Sequence, residues 1–213
     1  MSAPPQYSAL PHALPFWASV ALVPIVWVAA AYGGWAILLV PASTWALFSI
    51  LDRVTGLDLA NADPHTAETA LFWHRLVTLA WAPIQFVTTF GIIGWITHSG
   101  HLAIWEMFGV AFGIGLFSGT IGIVYAHELM HQKSAFERWL GDLLMTMALY
   151  GHFRSEHLLV HHRYVCTPRD AVTARYNESF HHFFPRVLWQ CLASSWRAEK
   201  ELLARRGLPA WDR

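Results

Sequence analysis

Between Phe16 and Leu51 the sequence carries no charged residue, which removes most soluble folds from consideration. Two apolar runs, Phe16–Ala31 and Trp35–Leu51, fill this stretch, parted only by Tyr32-Gly33-Gly34. Each run holds about 16 or 17 residues, at the short end of what crosses a hydrocarbon core of about 30 Å. In lipid, backbone polar groups must be satisfied within the chain, so such runs fold as helices. The pattern predicts a tight helical hairpin with kinks at Pro24 and Pro41.

The same reading extends along the chain. Asp52–Arg75 is a polar connection, and Leu76–Thr97 is a third span containing Pro83 and Gln85. His98-Ser99-Gly100-His101 makes a short turn into a fourth span, Leu102–Ala126. That span is rich in glycine, and the pairs Gly109/Gly113 and Gly115/Gly119 predict close helix packing. Glu106 faces either the bundle interior or the interface near the turn. Composition agrees with a membrane protein: 55% of residues are hydrophobic, 13% are charged, and 12 are tryptophan.

A formal net charge of zero hides an asymmetry. Arg53 and Arg75 are the only Lys or Arg before His127, and the other twelve lie in Lys133–Arg213. Four spans return the chain to its starting side, so the positive-inside bias puts the N-terminus and the C-terminal part on the cytoplasmic side of the inner membrane. The expected architecture is an all-α integral membrane protein. About four transmembrane helices (residues 1–126) precede cytoplasmic helices carrying histidines (127–187) and a charged tail (188–213), of which Arg197–Arg213 reads as a short charged helix or a lipid-headgroup contact, with a solvated charged face preferred. Cys166 and Cys191 read as ordinary thiols in a reducing compartment, and the start of the chain makes a poor cleavable signal peptide. No nucleic-acid-binding pattern occurs.

Chemistry concentrates in one window. His127, Glu128 and His131 match H-E-x-x-H, and helical spacing puts both imidazoles on one face. His157 and His161 repeat the i, i+4 relation and His162 extends it. His152 is open between ligand, supporting contact and helix cap. His12, His65, His74, His98 and His101 read as packing or surface, and His181-His182 as structural. A zinc protease needs its motif, one further ligand and a water, with Glu128 as base. A second imidazole cluster is surplus to that and suggests two metals, with Glu128 and Glu156 orienting ligands by accepting imidazole N–H groups. Asp170 reads as a partner for a nearby Arg, and Arg154, Arg163 and Arg175 serve either that pairing or contact with an acidic electron-donor protein.

At these residues a resemblance becomes specific. HELMHQKSAFERWLGDLL and YGHFRSEHLLVHHRYVCTPRDAVTARYNESF resemble the membrane-bound alkane hydroxylase (alkane 1-monooxygenase) family, within the integral-membrane fatty acid desaturase superfamily. The similarity implies a six-helix bundle with a cytoplasmic, histidine-held site for two non-haem iron ions, and O2 as co-substrate. By motif position it implies His127, His131, His157, His161 and His162 as ligands. It also implies an alkane or fatty-acyl substrate within membrane lipid, and electrons from a rubredoxin or ferredoxin with a flavin reductase. The family carries a third histidine box downstream, whereas the last histidine here is His182. The sequence reading is therefore of a C-terminally truncated chain, with a homo-oligomer as one way to complete the site. A desaturase, a non-catalytic membrane fragment and an intramembrane zinc metalloprotease are the alternatives.

Overall fold

The computed structural model describes residues 10–55 and 71–212, which form helices and turns with no strand among them. Two compact units divide the chain, Met1–Ala148 and Leu149–Arg213. His65 and most of the Asp52–Arg75 connection lie outside the described residues.

In the first unit, four helices are long and apolar enough to cross a membrane: α1 (Leu10–Tyr32), α2 (Gly34–Val54), α3 (Phe72–Ser99) and α4 (Ile104–Met130). This is the expected set of spans, each longer than its apolar run. Both prolines sit at departures from regular helix. Pro24 follows the tighter 3-10 turn Ala18–Ala21, and Pro41 precedes the wider π-turn Ala42–Leu47. A proline has no N–H to return to the preceding turn, so the ladder re-registers beside it.

The α1–α2 corner turns on Gly33 and Gly34, both at positive φ (59° and 49°), a conformation glycine adopts without a Cβ clash. Glu106 braces this corner. Its Oε1 accepts from Gly34 N at 2.7 Å, and its Oε2 accepts from Ala103 N at 2.7 Å, capping α4. Of the two positions weighed for Glu106, the structure selects the turn. His101 Nε2 lies 2.9 Å from the Ala30 carbonyl and its ring stacks on Trp95, tying the α3–α4 turn to the same corner.

Glycine packing agrees with the sequence in one pair and departs from it in the other. A Cβ on Gly109 would stand 2.8 Å from Ile37, and one on Gly113 would stand 3.4 Å from Val40, so α4 lies close along α2 there. Gly115 and Gly119 face open space among the described residues. Spacing shows that small residues share a face; it does not show whether a neighbour covers that face.

Trp81 of α3, fully buried, wedges between Phe117 and Tyr125 of α4 at ring distances of 4.9 and 5.5 Å. Its indole N–H donates to Gln85 at 2.8 Å, and Tyr125 donates to the Phe16 carbonyl of α1 at 2.8 Å. The Tyr125 bond ties α4 to α1 just before the α4 histidines. Helix α5 (Ala135–Met147) then packs against the end of α4.

The second unit holds α6 (residues 153–164), a loop, and α7 (Phe180–Arg205). Helix α7 runs unbroken through residue 188, where the sequence reading starts the charged tail. Ala171, Val187, Cys191 and Phe183 form its small apolar core.

Candidate metal centre

His127 and His131 stand on the last turn of α4 with ring centroids 4.8 Å apart and planes at 69°. Their common face follows from helical spacing. Ala126, Leu129 and Met130 turn the other way and are buried. That burial depends on Gly141 of α5: a Cβ there would come within 2.9 Å of the Ala126 carbonyl and 3.2 Å of Met130 N. Backbone meets backbone at this point, which leaves His127 half-buried and His131 exposed. Glu128 is exposed, and its Oε1 accepts a hydrogen bond from Gln132 Nε2 at 2.7 Å.

In the second unit the histidines sit on a π-turn. Residues His157–His161 leave the regular helical ladder for i to i+5 bonding, between Phe153–Glu156 and His162–Tyr164. The wider turn changes which imidazoles meet. His157 and His162, five apart, have ring centroids at 4.4 Å and Nε2 atoms 3.0 Å apart. His157 and His161, the pair expected from spacing, stack at 5.3 Å. Two nitrogens each about 2.1 Å from one ion can stand about 3 Å apart at adjacent coordination positions, so the His157–His162 separation fits joint ligation. Single-turn π-bulges are frequent at functional sites for this reason: they re-aim side chains.

His161 is oriented by a carboxylate. Asp170 is buried, and its Oδ2 lies 3.1 Å from His161 Nδ1. A carboxylate only accepts, so Nδ1 carries the proton and Nε2 is left as the donor atom for a metal. The same carboxylate accepts from Thr173 Oγ1 at 2.7 Å and Val172 N at 3.1 Å. Asp170 thus joins His161 and the loop where the sequence reading paired it with an arginine. The arginine that does organise this loop is Arg186 of α7. It forms a bidentate pair with Glu178, with both N–O distances 2.6 Å, and donates to the Ala171 and Thr173 carbonyls at 2.8 and 3.3 Å. That pair holds the Glu178 carboxyl down at about 2. Sequence reading named neither Arg186 nor Glu178; the Asp170 signal was available in Thr167-Pro168-Arg169-Asp170, nine residues after His161.

Glu156 is buried beside the Cys191 thiol of α7. One oxygen, Oε1, is buried with no hydrogen-bond partner. Burial, and then the charge of Asp170, pushes the Glu156 carboxyl above its ordinary range. Burial also raises the Cys191 thiol to about 11, so this cysteine is an inert thiol. His152 precedes α6 with its ring on Tyr150 at 4.6 Å; burial lowers its pKa, and its Nε2 is buried without a partner. His182 Nδ1 sits 3.3 Å from Ser179 Oγ at the start of α7.

A family model described as fatty acid desaturase matches residues 103–213. The chain is similar to alkane 1-monooxygenase 2 of Pseudomonas aeruginosa, 33% identical over 182 residues that cover 81% of this chain and 46% of the relative. It is 30% identical to alkane 1-monooxygenase of Pseudomonas putida over 201 residues, 92% of this chain and 49% of the relative. A xylene/toluene monooxygenase hydroxylase component of Pseudomonas putida is 24% identical over 186 residues, 85% of this chain and 48% of its own length. The chain spans about half the length of the curated relatives it matches.

Proposed function

The chain belongs to the fatty acid desaturase family, within its alkane 1-monooxygenase group, and we propose that it carries iron ligands of a membrane-bound monooxygenase acting on alkyl chains. The proposed ligands are His127 and His131 of the first unit and His157, His161 and His162 of the second, with His152 as a further candidate. Two non-haem irons are the proposed cofactor. Bound iron supplies O2 chemistry, which puts an oxygen atom into a terminal C–H bond of an alkane or fatty-acyl chain.

The observation that carries this reading is the π-turn. It brings two Nε2 atoms to 3.0 Å while the Asp170 carboxylate leaves Nε2 of His161 available. Three imidazoles on one short segment suit iron or zinc equally, and the family supports iron. The chain's own residues do the rest. Asp170 fixes the His161 tautomer, Arg186 and Glu178 hold the loop that carries Asp170, and Gly141 seats the helix that carries His127. The apolar spans keep an alkyl substrate in hydrocarbon. Residues 127–187 are thus the proposed metal-binding region.

The proposed setting is the inner membrane with both histidine groups facing the cytoplasm, supported by the twelve Lys and Arg of Lys133–Arg213. A rubredoxin or ferredoxin with a flavin reductase is the proposed electron source.

Mass-spectrometric metal analysis of the detergent-purified chain tests the reading. Iron bound to the chain, and lost when His157 and His162 are replaced by alanine, is the expected result. One zinc without iron would overturn it in favour of a protease at His127, Glu128 and His131.

A further inference from the structure

The outer surface of α7 is out of keeping with a helix in water. Phe183, Val187, Cys191 and Ser195, four residues apart, form the stripe that packs inward. One residue on, about 100° around the helix, a second stripe of Phe184, Leu188, Leu192 and Trp196 repeats the spacing with each side chain 45–48% exposed. One residue back, the opposite flank is polar: His182, Arg186, Gln190 and Ser194. The helix therefore has a packed face, an uncovered apolar flank and a polar flank.

We propose that α7 is an in-plane membrane helix whose Phe184–Trp196 flank lies in the headgroup–acyl boundary of a bilayer containing anionic lipid. Three observations select a bilayer as the occupant. The same chain has four helices able to cross a membrane, so α7 is tethered to lipid by covalent connection. The uncovered flank mixes aromatic and aliphatic residues, and Trp196 packs on the 82% exposed Trp211 at 5.2 Å, the amphipathic ring type that concentrates at membrane interfaces. Exposed cations, Arg197, Lys200, Arg205 and Arg206, cluster at that tryptophan end, where anionic headgroups would meet them. Spanning is excluded by charge: α7 contains Arg186, Arg197, Glu199, Lys200 and Glu201 and is not among the four helices apolar enough to cross. The helix is about 39 Å long, which lets its 26 residues lie along the surface. This assignment needs the membrane spans alone and stands apart from the iron site.

The test is a depth measurement on the full chain in phosphatidylcholine–phosphatidylglycerol vesicles. With Cys166→Ser as background, a nitroxide is attached at Leu188→Cys or Leu192→Cys, and in parallel at His182→Cys or Arg197→Cys. Collisions with oxygen, which favours hydrocarbon, are compared with those of a water-soluble nickel chelate. The expected result is a several-fold higher oxygen-to-nickel ratio at 188 and 192 than at 182 and 197. Equal access to nickel at all four positions would overturn the proposal. Shielding of 188 and 192 from both reagents would also overturn it, because a protein surface would then cover the flank.

Discussion

Asp170 Oδ2 lies 3.1 Å from Nδ1 of His161, and this contact sets which nitrogen of that imidazole can reach a metal. The carboxylate is held by two further donors, Thr173 Oγ1 and Val172 N, so its position is fixed before any ion arrives.

Asp170→Asn should leave the fold in place and weaken iron binding by about 10–100-fold, the usual cost of removing a carboxylate behind a ligating histidine. Asparagine keeps an oxygen for the loop donors while losing the charge that holds His161. Iron content after equilibrium dialysis, read beside the thermal melt, separates the two effects. An unchanged iron affinity would remove Asp170 from any role in ligand positioning.

Gly141→Val should disturb the end of α4 more than its size suggests. The added Cβ meets the Ala126 carbonyl at 2.9 Å and Met130 N at 3.2 Å, and backbone cannot rotate away as a side chain can. The expected loss is roughly 1–3 kcal/mol, as for overpacking in a filled core. Thermal unfolding in detergent measures it, and Gly115→Val, which faces open space among the described residues, is the control.

Removing the brace at the α1–α2 corner should also be costly. Glu106→Ala leaves Gly34 N and Ala103 N without their acceptor, which predicts a lower melting temperature in detergent than the parent chain. A melt within experimental error of the parent would mean that solvent or lipid headgroups replace the carboxylate.

The Arg186–Glu178 pair makes the second unit sensitive to acid. A carboxyl lowered in the folded state favours folding when it is ionised. Its contribution is fully present above the ordinary value near 4.5 and is lost as pH falls through about 2. Difference curves between the parent chain and Glu178→Gln, followed by tryptophan fluorescence from pH 6 to about 2, should converge at the acid end. Curves that stay parallel across that window would show that the pair does not couple to folding.

Four spans, the two histidine groups and the family resemblance were legible in the chain itself. Hydrocarbon solvent forces long uncharged runs into helices, so Phe16–Leu51 could fold in few other ways. The His127/His131 face was legible for a similar reason, because a regular helix converts a spacing of four into a shared side. The site's finer geometry was not. The π-turn at His157–His161 slips the backbone ladder by one residue, with no residue type to announce it, and so pairs His157 with His162.

Tertiary structure decided which glycines are covered, which carboxylate serves His161 and which arginine orders the loop. Each answer depends on a neighbour distant in sequence or across a turn: Ile37 against Gly109, Asp170 against His161, Arg186 against Glu178. The sequence determined the medium and the candidate metal-binding side chains, because solvent and residue chemistry act locally. Contact geometry was settled only by packing, because it follows from where separate helices come to rest.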